Sequence, residues 1–181
     1  MTMKHLFFRY LGLLLLLGLP VSSFAFSCQD VTEIPVAECD ALITLYDSTD
    51  GDNWRFKTGW KQTYTPCSWQ GIKCTNGHIS SLNIQANLSN ISILETDLPY
   101  LNELSIGSDL TEAPIPEINI PSLEKLYIFG EKTTSVPNFA YLSNLKSLQI
   151  SDTSILKTIP TFSNLDSLEG ITIAGNMQLE S

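Results

Sequence analysis

A six-residue pattern recurs five times along this chain: an apolar residue, two variable residues, Leu or Ile, one variable residue, then Ile. It reads Ile79-x-x-Leu82-x-Ile84, Leu101-x-x-Leu104-x-Ile106, Leu123-x-x-Leu126-x-Ile128, Leu145-x-x-Leu148-x-Ile150 and Leu168-x-x-Ile171-x-Ile173. The second anchors stand at 82, 104, 126, 148 and 171, in steps of 22, 22, 22 and 23 residues. Residues two apart in a strand point to one side, so Leu82 and Ile84 face one way and Asn83 the other. Each unit therefore makes a short strand whose apolar face it cannot cover alone. Stacking the units side by side, about 4.8 Å apart, joins those faces into one core. Loss of one such Leu is expected to cost about 2–5 kcal/mol. A period in the twenties thus predicts a solenoid that displays a curved surface and builds no pocket for chemistry. The return segments share a proline and apolar residues: Pro116 with Ile118 and Ile120, Pro137 with Phe139 and Leu142, Pro160 with Phe162 and Leu165. Proline suits an extended or 3₁₀-like return better than a long helix.

The first 25 residues read as something other than fold. Lys4 and Arg9 give a positive start, Leu11 to Leu19 is an apolar run broken only by Gly12 and Gly18, and Ser23-Phe24-Ala25 ends it with small residues. This is a secretory signal peptide; a spanning anchor needs about 20 apolar residues, and Pro20 closes this run too early. The expected organisation is a signal peptide at 1–25, an amino-terminal cap at 26–77 and five repeats at 78–181. Residues 26–181 number 181 − 25 = 156, enough for one core. They hold all 19 acidic residues and 8 of the 10 basic ones, a formal charge of 8 − 19 = −11. That charge argues against nucleic acid and anionic lipid as partners, and it also serves solubility.

Cys28, Cys39, Cys67 and Cys74 all precede the repeats. An even count in an exported chain reads as two disulfides, with three pairings open on paper. Cys67 with Cys74 closes a small loop, which leaves Cys28 to Cys39; a loop of that size contributes about 2–3 kcal/mol. Gaps of 11, 28 and 7 residues hold no Cys-x-x-Cys for zinc. Acylation at Cys28 fits poorly after Ala25-Phe26-Ser27 and would strand Cys39. No metal or cofactor is expected.

Between signal peptide and first strand lies a segment rich in Trp and Cys. Ala41, Leu42, Leu45 and Tyr46 fall at helical spacing within Glu38 to Ser48, and Thr49-Asp50-Gly51-Asp52 stops the helix, with Gly51 suited to a left-handed stop. Trp54, Trp60 and Trp69 are large enough to seal the end of a stacked core, which needs a polar lid.

Cys67-Ser68-Trp69-x-Gly71-Ile72-x-Cys74, preceded by Leu42-x-x-Leu45-Tyr46 and Gly51-Asp52-Asn53-Trp54, resembles the amino-terminal cap of plant-type leucine-rich-repeat receptors. Secreted bacterial proteins with this cap often carry the Gly-Asp-Asn-Trp stretch as well. Cap and repeats together cover about 38–181. The resemblance implies an α/β solenoid: a right-handed leucine-rich-repeat superhelix with a concave parallel sheet, a small disulfide-bonded helical cap, and a role in protein or peptide recognition. The family's asparagine after each strand stands at Asn87 and Asn176, with Asp109, Glu131 and Thr153 at the other turns.

Most local motifs give way to simpler readings. Asp50-Gly51-Asp52-Asn53 starts like a calcium loop but runs into Trp54, Arg55 and Phe56 where further oxygens are needed. His78, the one histidine in 26–181, abuts the first strand and reads as a packed or solvated turn residue, with no nucleophile elbow to suggest a triad. Glu95 and Asp97 lie in a return segment, away from any expected glycosidase cleft. Asn87-Leu88-Ser89 and Asn90-Ile91-Ser92 are formal glycosylation sequons, relevant only in a eukaryotic secretory pathway.

The register gives three outward columns: Ser81, Glu103, Lys125, Ser147, Gly170; Asn83, Ser105, Tyr127, Gln149, Thr172; and Gln85, Gly107, Phe129, Ser151, Ala174. Most are small or polar, whereas the third repeat places Lys125, Tyr127 and Phe129 on one strand. Exposed aromatics anchor recognition surfaces, so Tyr127 and Phe129 are expected in solvent on the concave face, with Glu103, Lys125 and Gln149 beside them. The reading is an exported, non-enzymatic module that binds a protein or peptide, secreted or held in a periplasm or at a cell surface. The rival is a structural or adhesive segment of a longer surface protein. The end after Ile173 has no further return segment, so Ile171, Ile173 and a sheet edge are expected to face water, and the solenoid to continue or self-associate there.

Overall fold

The structure is a computed structural model that describes residues 26–86, 93–94, 98–108, 112–175 and 178. The signal peptide, Asn87, both sequons, Glu95, Asp97, Asp109 and Asn176 lie outside the described residues.

Helix α1 spans Val36–Ser48 and starts two residues before the sequence reading, immediately after Pro35. Its buried side carries Glu38, Cys39, Leu42, Leu45 and Tyr46. Its end is held by Thr49, whose hydroxyl donates to the Leu45 carbonyl at 2.7 Å. The left-handed residue is Asp50 (φ 59°, ψ 49°), not Gly51 as expected. Gly51 has another use: a Cβ there would sit 2.3 Å from the Tyr46 ring. Glycine at this position is a packing requirement.

The strands are β1 Ile72–Thr75, β2 His78–Gln85, β3 Ile93–Leu94, β4 Glu103–Gly107, β5 Ile118–Asn119, β6 Lys125–Phe129, β7 Ser147–Ser151 and β8 Gly170–Ala174. The main sheet has the order β1-β2-β4-β6-β7-β8, and β3 pairs with β5 in a small second sheet. All five repeat strands run parallel and in register, with Leu82, Leu104, Leu126, Leu148 and Ile171 opposite one another, and likewise Ile84, Ile106, Ile128, Ile150 and Ile173. The 22-residue period thus places each coil directly over the last. Between the second and fifth strands each coil donates backbone bonds to its predecessor: Asn102 to Ser80, Glu124 to Asn102, Lys146 to Glu124 and Glu169 to Lys146. The anchors of the first four repeats are buried, as are Ile118, Ile120, Phe139, Leu142 and Leu165 of the returns.

The cap adds a strand that the repeat pattern does not announce. β1 pairs antiparallel with β2 and covers the sheet's first edge. Gly71, at φ 87°, immediately precedes it; a Cβ would lie 2.2 Å from the Asn83 carbonyl oxygen, while the Asn83 amide donates to the Gly71 carbonyl at 2.7 Å. The motif glycine is therefore where cap and first repeat touch backbone to backbone. The disulfides are Cys28–Cys39 and Cys67–Cys74, the pairing that the loop lengths favour. Tyr46, Trp54, Trp60 and Trp69 form a chain of ring contacts 4.9–5.6 Å between centroids, all buried.

The turns after the strands differ from the family's asparagine pattern. Gly130 (φ 108°), Asp152 (φ 56°) and Gly175 (φ 71°) take the left-handed conformation at equivalent places. Glu131 is exposed, and buried Thr133 donates to the Phe129 carbonyl at 3.0 Å. Thr153 is buried. At the far end every residue of β8 is exposed, with Ile171 at 44% and Ile173 at 41%.

Candidate binding surface

Strand β6 alternates. Leu126 and Ile128 are buried while Lys125, Tyr127 and Phe129 lie on the opposite face. Register then assembles the surface: Glu103 and Ser147 flank Lys125, Ser105 and Gln149 flank Tyr127, and Gly107 and Ser151 flank Phe129. The five expected site residues Glu103, Lys125, Tyr127, Phe129 and Gln149 therefore meet on three adjacent strands.

Tyr127 and Phe129 are half-buried, not fully in solvent as the alternation alone suggests. For Phe129 the cause is Gly107 on the neighbouring strand. A Cβ at Gly107 would fall 2.7 and 2.8 Å from two carbons of the Phe129 ring, so the ring lies over the bare backbone of β4 and buries it. Part of its apolar area is already used inside the fold. Tyr127 stands between a serine and a glutamine.

One edge of this surface is charged in an alternating way. Lys146 and Glu124 form an ion pair at 2.9 Å, and Lys125 lies 4.0 Å from Glu103. The hydrogen bond and the charge of Glu124, with a smaller effect of Glu169, raise the Lys146 pKa above its ordinary value. A shallow cleft of about 330 Å³ is bounded by Glu124, Lys125, Lys146, Ser147, Glu169 and Gly170. The cleft exists because the side chain shrinks along the column from Lys125 to Ser147 to Gly170, where a Cβ would meet nothing within 4 Å. Strict alternation misses Glu124, Lys146 and Glu169, since residues two before an anchor should share its side of the strand. They instead precede the strands, where the chain is still turning, and their side chains swing out. Their common offset from the anchors was the available signal.

His78 also has a partner that spacing does not show. Its Nδ1 lies 2.6 Å from Glu38 Oε1, and the other carboxylate oxygen accepts from the Ile79 amide at 2.7 Å. The His78 ring packs on Tyr100, centroids 3.9 Å apart. This cluster fastens the cap helix to the first two coils.

Residues 37–75, from α1 through β1, match the family model of the leucine rich repeat N-terminal domain. Comparison with curated proteins and with solved structures gives no match. That match assigns the cap to the leucine rich repeat N-terminal domain, and the in-register parallel solenoid that it seals is consistent with leucine-rich repeats.

Proposed function

We propose that this chain is an exported, non-enzymatic recognition module that binds a protein or peptide on the outer face of its main sheet, centred on β6. The observation that carries the reading is the patch itself. Tyr127 stands between Ser105 and Gln149, with Lys125 and Glu103 on one side and Phe129 on the other, on strands held in register by backbone bonds. An aromatic with a half-exposed ring, ringed by polar groups on a rigid frame, is the kind of anchor that dominates interface energies. Mixed charges at the rim favour partner choice over raw affinity. Export and an oxidising location, secreted, periplasmic or at a cell surface, are supported by the two disulfides and the absence of a free cysteine among the described residues.

The test is a peptide-display selection on the purified protein, followed by titration of selected peptides against variants. Tyr127→Ser should weaken binding at least about tenfold, the effect of losing a central aromatic. Tyr141→Ser, at an exposed tyrosine in a return segment, should leave it unchanged. Peptides indifferent to Tyr127 and Lys125 but sensitive to Tyr141 would place recognition elsewhere.

A further inference from the structure

Strand β4 leaves a slot in the outer face of the sheet, midway between β2 and β6. Its outer-face residues are Glu103, Ser105 and Gly107, and the register sets Ser105 between Asn83 of β2 and Tyr127 of β6. Neighbouring strands lie about 4.8 Å apart, so Asn83 and Tyr127 are rooted about 9.6 Å from each other. Only the serine hydroxymethyl stands between them, which leaves room for one flat group laid against the tyrosine. Glu103 closes one end of the slot, and the Phe129 ring over Gly107 closes the other. Asn83 is exposed, and Glu103 and Ser105 are half-buried. The charges here are unevenly matched. Lys146 holds Glu124 at 2.9 Å, whereas Lys125 stands 4.0 Å from Glu103, beyond hydrogen-bond distance. Among the described residues no donor lies within hydrogen-bond distance of the Glu103 carboxylate.

We propose that this slot is a subsite for an arginine side chain of the bound protein or peptide, an inference that rests on the outer face being the binding surface. A carboxylate without a donor beside an aromatic ring is the complement of a planar cation. The ring face attracts the charge, and the carboxylate accepts two N–H groups of a guanidinium at once. The guanidinium lies against Tyr127 and donates to Glu103 and to the Asn83 side-chain oxygen, while its methylene stem runs over Phe129. Lys125 gives way to it, since its side chain is 51% exposed and makes no bonded contact with Glu103. Lysine suits the slot less well, because a compact, strongly hydrated ammonium lacks the flat fork that stacks and bonds together. The wider field has the matching sign: residues 26–181 carry 8 − 19 = −11, which draws cationic groups to the surface.

The test titrates the purified protein with the N-acetyl methylamides of arginine, citrulline and lysine while backbone amide chemical shifts are followed. Citrulline keeps the shape of arginine without its charge. The arginine probe should shift the amides of Glu103, Ser105 and Tyr127, half-saturating at about 1–10 mM, the range open to a ligand of this size. Citrulline and lysine should need at least about fivefold more. Glu103→Gln and Tyr127→Ser should each weaken the arginine probe about fivefold or more, with unchanged β7 amides reporting that the coils stay stacked. Lys125→Met should strengthen it about two- to fivefold, because the competing cation is gone. Weaker binding to Lys125→Met overturns the proposal, as does an equal response to lysine. So does a response shared with exposed Glu117, the mark of general attraction to an acidic surface. No shift at Ser105 at the highest soluble concentration overturns it as well. If display-selected peptides depend on Tyr127 while the arginine probe gives no response, the subsite falls and the binding surface stands. If the peptides ignore Tyr127, both fall.

Discussion

Glu38 of the cap helix and His78 of the first repeat strand are joined at 2.6 Å, and the same carboxylate, 3% exposed, accepts the Ile79 amide. Two elements 40 residues apart in sequence are thereby fastened at the point where the antiparallel cap strand hands over to the parallel coils. A buried carboxylate with both oxygens engaged holds its partners in one geometry.

Replacing Glu38 by Ala should destabilise the protein by about 1–3 kcal/mol, since the buried Ile79 amide loses its acceptor. Glu38→Gln should cost less, because an amide oxygen still accepts from Ile79. Urea unfolding of the two variants measures this. Equal midpoints for Glu38→Ala and wild type would remove the clamp from the account.

Gly107 and Gly170 occupy parallel strands in equivalent faces but should respond in opposite ways to an added methyl. At Gly107 it meets the Phe129 ring and carbonyl oxygen, which is 2.4 Å from the Cβ position, so Gly107→Ala should cost about 1–3 kcal/mol. At Gly170 it meets open space, so Gly170→Ala should stay within about 0.5 kcal/mol. Thermal melts of the pair decide whether Phe129 is held down by β4.

Opening the Cys67–Cys74 loop with the double Ser variant should cost about 2–3 kcal/mol by the chain-entropy model. The loss should concentrate at the cap, where β1 carries Cys74. Amide exchange should accelerate in β1 and β2 while β6 and β7 keep their protection. Uniform acceleration along the solenoid would show that the cap and coils unfold as one unit.

Tyr46 supplies a pH dependence. Burial first, then its hydrogen bond to Asp52 at 2.9 Å and the charges of Asp52, Asp47 and Asp50, push its pKa from 10.0 to about 12. The folded state thus favours the neutral phenol. That contribution is fully present below about pH 10 and is lost as pH rises through about 12. Tyr46→Phe should be less stable at neutral pH by about 1 kcal/mol, the ordinary worth of one hydrogen bond, yet should lose less between pH 10 and 12. Absorbance titration of the phenolates should show one fewer late-titrating group in the variant.

Much of the fold is legible from residue spacing because a solenoid is close to one-dimensional. Each coil touches mainly its neighbours, so a regular period carries strand positions, buried anchors and register together. The same logic brings Glu103, Lys125, Tyr127, Phe129 and Gln149 to one face, since their offsets from Leu104, Leu126 and Leu148 are constant.

What periodicity omits is anything decided by a contact between unlike elements. The antiparallel strand β1 and the Glu38–His78 pair belong to no repeat. Phe129 shows the difference most clearly. Its own strand assigns it to the outer face, which is correct, but how much of its ring meets water depends on the glycine of the adjacent strand, 22 residues earlier. Alternation along a strand is a local steric property and can be read from one segment. Burial is a property of surfaces in contact, and it exists only once the coils are stacked.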